Sequence, residues 1–433
     1  MTRRLLPYVL FAAFAAASFG AIRSYDSFWQ LSTGRWIVEH RALPLTDPFA
    51  LASARTEWID GEWLYEVILY GLHELVGLSG LSVVRGLLIG AIFTCSFVFA
   101  RRNGDEQTAL VATAIGLAGA IQLLDLRPSA VAALLVVLML GARTWWAKTI
   151  ITIVWVNIHP SALLAPIVGK NPLLALALLL NPHGYKAILA PLKLTSFVTG
   201  GTFVNAEWLP STPSQFPLFY FAIAFAVALH ALVKKDRDWW RIALLALFAI
   251  LAIRHVRNQP LFFAALPLLV PLPPLRPVIA YVAATLAVVI AALSVDHRLG
   301  VPPERFPIAA VEKLKGHRGN IYNADQFGGY LIWTFYPERR VLTDGRNELY
   351  REFIPEWQAA RVDSRKWKAL LRKYDIRIAV EEHRAPLRVT DARTGRVVEM
   401  PAHLAYWPKN EWKMIARDEA AMVFVSSRAR EDR

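Results

Sequence analysis

The chain has 433 residues, of which 55% are hydrophobic and only 19% are charged, and its mean hydropathy is +0.35. A soluble protein of this length would be less apolar and more charged, so the composition argues against an ordinary soluble enzyme. The formal net charge of +14 fits basic cytoplasmic loops and attraction to anionic headgroups or phosphates. No nucleic-acid motif is present, and no nucleic-acid partner is expected. The single cysteine, Cys95, excludes an intrachain disulfide and a cysteine-based metal site.

The apolar residues cluster into blocks of roughly 15–22 residues, the length that crosses a bilayer as a helix. The first block follows Arg3 and Arg4 without an A-x-A-like cleavage site, so it is expected to be an uncleaved helix. Between 171 and 199 the pattern is broken by a Pro and a Gly, which allows half-helices there. The blocks predict about eleven transmembrane helices near 5–22, 81–100, 107–124, 128–142, 149–168, 172–182, 186–199, 216–233, 239–256, 259–273 and 277–295.

Basic residues predict the orientation of these helices. If the N-terminus is cytoplasmic, Arg101 and Arg102 follow the second helix inside, Arg143 and Lys148 follow the fourth, and the cluster 234–237 follows the eighth. All three groups then obey the positive-inside rule. An odd number of helices places the C-terminal region outside. We therefore predict a multi-pass protein of the plasma (inner) membrane with a periplasmic or extracellular C-terminal domain.

The composition becomes polar after residue 296, which predicts a second domain. We assign residues 1–296 to a transmembrane domain with a long first external loop at 23–78, and residues 297–433 to a soluble external domain. Alternating patterns in the second domain indicate a small α/β fold. Its strand-like runs are 339–342, 376–381 and 421–425, and its helical runs are 308–315 and 365–373. The predicted fold class is an α-helical polytopic membrane protein with a C-terminal external α/β domain.

The first external loop is the part of the chain most indicative of chemistry. Residues 25–67 read YDSFWQLSTGRWIVEHRALPLTDPFALASARTEWIDGEWLYEV, and they place Asp26 and Asp47 beside the bilayer. Carboxylates at a membrane face are costly to desolvate unless they have partners or a function. The alternative is structural: Asp26 capping a helix that begins at Ser27, and Asp47 capping a turn before Pro48.

A second external site is the loop FVNAEWLPSTPS at 203–214, where Glu207 is the only acidic residue between Asp125 and Asp236. A lone carboxylate in an apolar loop needs a partner cation, a metal or a substrate amide, unless it is simply an exposed loop residue. Asp125 and Arg127, on a short external turn, are expected either to act in the site or to pair with each other.

Three further side chains are candidates for phosphate binding. Arg254 and Arg257, at the outer end of the ninth helix, run against the positive-inside bias and suit bidentate phosphate binding. Their alternative is snorkelling to lipid headgroups. His159, at the outer end of the fifth helix, can bind a metal or donate to a phosphate, or it can satisfy helix–helix contacts.

The external carboxylates and arginines together suit one reaction class. A carboxylate can deprotonate or orient an acceptor, or hold a divalent cation. Arginines can stabilise a lipid phosphate that leaves as negative charge builds on it. This combination predicts group transfer from a lipid phosphate at the outer membrane surface.

On these residues the sequence resembles the GT-C superfamily of integral-membrane glycosyltransferases, and especially the catalytic subunit of oligosaccharyltransferase and its uncharacterised bacterial relatives. In that superfamily a catalytic Asp opens the first external loop, in a context like YDSFWQL…GRWIVEH…TDPF at 25–49. The resemblance implies that Asp26 is the catalytic carboxylate and Asp47 a second acid. It also implies a later acid before a proline, as in Ala-Glu207-Trp-Leu-Pro.

The resemblance extends to the phosphate and acceptor sites. The family's late-helix arginine, which meets the lipid phosphate, is similar in position to Arg254 or Arg257. NADQFGGYLIW at 323–333 is loosely similar to the family's acceptor motif. By that likeness, acceptor-binding residues in the tail are Asp325, Tyr330 and Arg346, with packing of the soluble domain as the alternative. A metal, Mg²⁺ or Mn²⁺, would be held by Asp26 and Glu207.

The resulting hypothesis is a glycosyltransferase of the cell envelope. It would move a sugar from a polyprenyl-phosphate or polyprenyl-pyrophosphate donor to a glycan, lipid or protein acceptor on the external face, in contact with membrane lipids. The alternative is a non-enzymatic lipid-linked glycan transporter or a membrane scaffold with a GT-C-like body. A transporter should carry ionisable residues at mid-membrane depth. Most polar residues fall at segment ends here, which favours an enzyme.

Overall fold

A computed structural model describes residues 4–199, 206–233, 238–390 and 397–427. It divides the chain into two compact units. Unit 1 comprises Met1–Ser24 and Ile59–Gly300, and unit 2 comprises Tyr25–Trp58 and Val301–Arg433. Arg3, residues 203–205 and the basic cluster 234–237, which enter the sequence analysis, lie outside the described residues.

The expected domain boundary near residue 296 lies close to the observed one at residue 300, but the first loop divides differently. Residues 25–58 belong to unit 2 with the C-terminal domain, whereas the remainder of the loop belongs to unit 1 with the apolar helices. The two units are therefore each built from discontinuous pieces of the chain.

Most of the described chain is helical. Helices α2 and α14–α17 belong to unit 2, and the others belong to unit 1. In chain order the helices are α1 (Leu6–Ser18), α2 (Asp26–His40), α3 (Trp63–Ala100), α4 (Glu106–Ala120), α5 (Pro128–Gly141), α6 (Trp145–Val156), α7 (Ala165–Val168), α8 (Leu174–Ala177), α9 (Tyr185–Thr199), α10 (Pro217–Leu232), α11 (Trp239–Arg254), α12 (Gln259–Leu269), α13 (Pro277–Leu293), α14 (Ile308–Glu312), α15 (Gly328–Phe335), α16 (Phe353–Arg361) and α17 (Ser364–Lys373).

The number of membrane spans is not confirmed. Among the described residues, one helix, α3, is long and apolar enough to cross a membrane by length and composition, while α1, α5, α6, α10 and α13 are shorter apolar helices. The predicted helix 149–168 ends at Val156, because Pro160 begins a separate 3₁₀ turn. The predicted helix 172–182 contains only the four residues of α8. Proline interrupts the hydrogen bonds of a continuing helix.

A buried arginine forms hydrogen bonds to backbone carbonyls at the ends of α1 and α4 in unit 1. Arg85, on α3, donates to the carbonyl oxygens of Ser18 at 2.6 Å and Leu124 at 2.8 Å, and it also pairs with Asp125 at 3.5 Å. These bonds satisfy carbonyls that the ends of α1 and α4 leave without helical partners. The backbone of α3 also breaks at Gly77, whose φ of 65° separates the first turns of α3 from the predicted span at 81–100.

Unit 2 contains a four-stranded sheet in the order β1-β2-β6-β5. The pair β1–β2 is parallel, and β2–β6 and β6–β5 are antiparallel. The predicted strands at 376–381 and 421–425 are present, whereas 339–342 is not a strand and forms only isolated bridges through Val341. The strands are β1 (Asn320–Asn323), β2 (Ile376–Glu382), β3 (Leu387–Thr390), β4 (Val397–Met400), β5 (Trp412–Arg417) and β6 (Ala421–Ser426), with β3 and β4 forming a separate hairpin.

The segment 25–58 is an integral part of unit 2. Its aromatic side chains Trp29, Phe49 and Trp58 are buried in the same core as the C-terminal strands. The amide of Leu51 donates to the carbonyl of Val341 at 2.9 Å. Burying three large aromatic side chains is a substantial hydrophobic contribution, so this segment is expected to fold together with the C-terminal domain.

Helix α15 approaches helix α2 closely because its sequence begins with two glycines. A Cβ added to Gly329 would lie 2.9 Å from the carbonyl oxygen of Tyr25 and 3.0 Å from the amide nitrogen of Trp29. Neither neighbour is a flexible side-chain end, so the backbones would have to separate to accept any larger residue.

We expect Gly329→Ala to destabilise unit 2 by about 1–3 kcal/mol, because the added methyl group overpacks a backbone contact. The measurement is the thermal unfolding midpoint of the purified full chain. The matched control is Gly71→Ala on α3, where an added Cβ would meet nothing within 4 Å and a neutral or slightly stabilising effect is expected. Equal unfolding midpoints for wild type and Gly329→Ala would contradict the close packing.

Candidate functional site

Asp26 lies at the start of helix α2 in unit 2 and is partly exposed. The N-cap position is occupied by Tyr25, whose side chain forms no capping bond. One Asp26 oxygen, Oδ1, accepts a hydrogen bond from the indole Nε1 of Trp29 at 3.1 Å. Gly345 lies directly over the same oxygen, since a Cβ on it would be only 2.7 Å away. The carboxylate is thus held at a defined position and still reaches the surface.

Other carboxyl groups surround Asp26. Loss of hydration, with the charges of Asp344 and Asp26, raises the pKa of Asp325 to about 8. Loss of hydration likewise raises the pKa of Glu348 to about 7, although Arg346 opposes the shift. Asp325 remains exposed to solvent, so water screens part of the effect there. Near neutral pH these two carboxyls hold a proton much of the time, which limits the negative charge around Asp26.

A buried arginine organises the segment beneath this cluster. The guanidinium of Arg346 has no exposed surface, and it donates to Asp344 Oδ1 at 2.9 Å through Nε and to Asp47 Oδ1 at 2.9 Å through Nη2. It also lies 4.5 Å from the ring centre of Trp58. Burial alone would lower the pKa of Arg346, but the charges of Asp344 and Asp47 outweigh it and raise the pKa. Arg346 is therefore a permanent cation.

Asp47 has a position that favours a structural role. Its side chain is fully buried, and Oδ1 also accepts the backbone N–H of Phe49 at 2.9 Å. Its other oxygen accepts the hydroxyl of Ser53. The turn-capping alternative considered for Asp47 is thus present, together with an ion pair to Arg346. The carboxylate holds the loop in place rather than facing solvent.

The expected acceptor-binding residues occupy different environments. Arg346 is buried, and the ring of Tyr330 packs against Phe28 and Phe306 with centroid distances of 5.0 and 5.8 Å. Asp325, in contrast, is exposed. Of the three residues, Asp325 is the one whose side chain is most open to contact with a substrate.

Unit 1 brings a second set of expected residues together. Glu207, in the short 3₁₀ helix Ala206–Trp208, forms an ion pair with Arg127. The guanidinium of Arg257 stacks over the ring of Trp208, 4.6 Å from its centre. Burial alone would raise the pKa of Glu207, but Arg127 and Arg257 outweigh burial and lower it. Glu207 is therefore ionised, and two cations lie around it.

The remaining phosphate-binding candidates differ in exposure. Arg254 is the last residue of α11 and is exposed. His159 is nearly buried; its Nδ1 accepts the backbone N–H of Ser161 at 3.1 Å and so caps a 3₁₀ turn. This local cap differs from the helix–helix contact considered as the alternative for His159, and it leaves Nε2 as the other ring nitrogen.

Two long-range pairings were missed by the sequence analysis. Arg127 was expected to pair with Asp125, but its partner is Glu207. Asp125 instead contacts Arg85 and accepts the backbone N–H of Arg23 at 3.0 Å. The sequence did indicate that Glu207, a lone carboxylate in an apolar loop, needs a cationic partner. It did not indicate that the partner is Arg127.

The carboxylates expected to hold a metal have other partners. Glu207 is paired with Arg127, and a guanidinium competes with a cation for the same oxygens. Asp26 Oδ1 accepts a hydrogen bond from the indole N–H of Trp29. Among the residues that the structure describes, no three His, Cys, Asp or Glu side chains are arranged to hold a metal ion. The expected requirement for Mg²⁺ or Mn²⁺ stays a prediction.

Comparison with known proteins identifies the fold. No family model matches the chain, and no curated protein matches its sequence. Among solved structures, the Archaeoglobus fulgidus oligosaccharyltransferase in its apo form has a TM-score of 0.60 and 9% identity, covering 92% of this chain and 75% of that one. AglB from the same organism, in complex with an inhibitory peptide and a dolichol-phosphate, has the same score and identity, covering 94% and 75%.

A second enzyme has a related structure. The mycobacterial arabinofuranosyltransferase AftD has a TM-score of 0.51 and 14% identity, covering 98% of this chain and 40% of that one. At these identities the likeness concerns the fold. The chain has a GT-C-like fold, and the resemblance stated from its sequence is confirmed at this level.

We expect Asp47→Ala to destabilise the protein by about 3–5 kcal/mol, because it removes one partner of a buried charge. The measurement is the unfolding free energy, or the thermal midpoint, of the full chain. The control is Glu399→Ala, which removes a partner of Arg388 in an exposed pair and should cost about 0–1 kcal/mol. If the two variants lose equal stability, the Asp47–Arg346 pair does not hold unit 2 together.

Proposed function

We propose that the protein is a membrane-embedded glycosyltransferase of the GT-C type. It moves a sugar from a polyprenyl-phosphate or polyprenyl-pyrophosphate donor to a glycan, lipid or protein acceptor on the external face of the plasma membrane. The observation that carries the proposal is the position of Asp26 at the start of α2, in a chain with a GT-C-like fold. Support comes from the solved structures, which are named as glycosyltransferases and in one case hold a dolichol-phosphate.

Asp26 is assigned as the carboxylate that orients or deprotonates the acceptor. It is partly exposed, whereas Asp47 and Asp344 are buried and bonded to Arg346. Burial and the nearby carboxylates raise the pKa of Asp325 to about 8, although its side chain is exposed. A general base must reach the proton that it removes. Asp26 is assigned this role because its side chain is partly exposed and because it stands where the resemblance places the catalytic Asp.

The proposed reaction is a substitution at the anomeric carbon of the sugar. The acceptor atom forms a bond to this carbon as the bond from the carbon to the phosphate oxygen breaks. The bonding electrons leave with the lipid phosphate, and the acceptor proton passes to Asp26. Asp47 is assigned a positioning role, because through Arg346 it holds the segment that carries Gly345 against Asp26.

Within unit 1, the candidate for binding a donor phosphate is the cation cluster around Glu207. Arg127 and Arg257 provide two positive charges, and Glu207 compensates one of them while fixing Arg127. The guanidinium carbon of Arg257 lies 4.6 Å from the ring centre of Trp208, a contact that helps to place the cation before a ligand arrives. Preorganised donors at a developing negative charge are an effective source of catalysis. Arg254 and His159 are assigned supporting contacts to the same anion.

We expect Asp26→Asn to reduce sugar transfer by about 10²–10⁴-fold, since it keeps the shape of the side chain but removes its basicity. The assay uses the purified full chain in vesicles with a panel of radiolabelled undecaprenyl-phosphate sugars, and it measures the release of undecaprenyl phosphate. The control is Asp363→Asn, which alters the exposed N-cap of α17. Full turnover by Asp26→Asn would show that another group acts as the base, whereas absence of turnover in the wild type across the panel would favour the transporter or scaffold alternative.

Arg257→Gln tests the phosphate assignment separately. Loss of a charge-assisted contact to the donor should lower kcat/KM by about 10- to 100-fold, mainly by raising KM, and should leave the thermal midpoint nearly unchanged. Arg276→Gln, an exposed arginine at the start of α13, is the matched control. If Arg257→Gln behaves like this control while Asp26→Asn is inactive, the phosphate lies elsewhere and only the carboxylate assignment stands.

A further inference from the structure

A cavity of about 190 Å³ lies in unit 1 at the opposite end of α11 from Arg254. Helix α11 has 16 residues and is therefore about 24 Å long, so this cavity is distinct from the cluster around Glu207. Its lining is Asn103, Met139, Leu140, Lys148, Val168, Lys170, Asp238, Trp240, Arg241, Leu244, Leu268 and Leu269.

The polar side of the lining is cationic. Lys148, Lys170 and Arg241 contribute three positive charges, and Asp238 contributes one negative charge. The Asp238 carboxylate is already engaged, because Oδ1 accepts the backbone N–H groups of Trp240 at 3.0 Å and Arg241 at 3.3 Å. Its other oxygen, Oδ2, pairs with Arg241 Nε at 3.4 Å, so Asp238 offsets the charge of Arg241 rather than the charges of the two lysines. The remaining excess of positive charge suits an anion.

The two lysines meet at one turn of the backbone. Lys148 donates to the carbonyl oxygen of Gly169 at 2.8 Å. Lys170, the next residue, has a φ of 52°, and its amine lies 5.3 Å from the ring centre of Trp240. A left-handed conformation is common for glycine and uncommon for lysine. Such strain is typical of functional positions, and here it accompanies a lysine that lines the cavity.

The rest of the lining and its surroundings are apolar, as at a membrane surface. Met139, Leu140, Val168 and three leucines form the other wall. Large aromatic side chains are exposed at the same end of unit 1: Trp145 is 72% exposed and Trp146 is 55% exposed at the start of α6, and Trp239 is 68% exposed at the start of α11. Exposed tryptophans are typical of the headgroup layer of a bilayer.

We propose that this cavity binds a phosphate group, carried by an anionic phospholipid of the adjacent leaflet. The lysines and Arg241 would contact the phosphate, the amide of Asn103 would donate to it, and the apolar wall would face the acyl chains. By the positive-inside prediction this is the cytoplasmic leaflet, which is rich in anionic lipids, and basic pockets between helices on that side bind such headgroups. The proposal does not depend on glycosyl transfer.

The test measures the thermal midpoint of the full chain in phosphatidylcholine nanodiscs that contain increasing fractions of phosphatidylglycerol. Each basic side chain near an anionic lipid contributes about fivefold in affinity. Lys148→Gln/Lys170→Gln should therefore need about 30-fold more phosphatidylglycerol for half-maximal stabilisation. The single variant Lys170→Gln alters an exposed side chain, so it should leave the fold intact. It should need about fivefold more phosphatidylglycerol for half-maximal stabilisation.

The matched control is Arg102→Gln/Arg143→Gln, which removes two exposed charges outside the cavity lining. It should keep the wild-type response to phosphatidylglycerol. Nanodiscs of phosphatidylcholine with inorganic phosphate form the second arm. If inorganic phosphate stabilises the wild type but not the lysine variants, the cavity binds phosphate, and its ligand is a soluble phosphate rather than a lipid. The proposal would be overturned if the arginine control lost as much of the stabilisation by phosphatidylglycerol as the lysine variants. It would also be overturned if neither phosphatidylglycerol nor inorganic phosphate stabilised the wild type.

Discussion

The buried charge of Arg346 is the constraint on which unit 2 depends. A guanidinium with no exposed surface is stable only when carboxylates and aromatic faces surround it, and here Asp344, Asp47 and Trp58 do so. Asp47 and Arg346 are 299 positions apart in the chain. Their pairing therefore obliges the first loop to fold with the C-terminal domain. This explains why residues 25–58 belong to unit 2.

The same constraint places the proposed catalytic carboxylate. Arg346 is held on both sides, so its neighbour Gly345 is fixed, and Gly345 lies against Asp26 Oδ1. Trp29 contributes a hydrogen bond to Asp26 and also buries its ring in the core of unit 2. The carboxylate is thus positioned by groups whose own places are set by burial. Rigid support of this kind is what a group that must meet a substrate at a defined angle requires.

Local sequence patterns predicted most of the apolar helices of unit 1, but they did not predict the partners of the charged residues. Apolar periodicity indicates α1, α4, α5, α10, α11, α12 and α13 to within a few residues. It cannot show that a buried Asp47 meets Arg346, because hydrophobic patterns carry no information on ion pairs distant in sequence. Residues 339–342 were predicted as a strand, but Val341 is buried while forming only isolated bridges, because a short apolar stretch records burial and not strand pairing.

Basic residues in a membrane protein have two explanations that the structure helps to separate. Arg143 and Arg102 are exposed, and orientation in the membrane accounts for them fully. Lys148, Lys170 and Arg241 line a cavity, which orientation alone does not require. Arg127 and Arg257 lie around Glu207 in another part of unit 1. A cation excess that topology does not explain is best explained by an anionic ligand, and a lipid phosphate is the anion that a membrane offers.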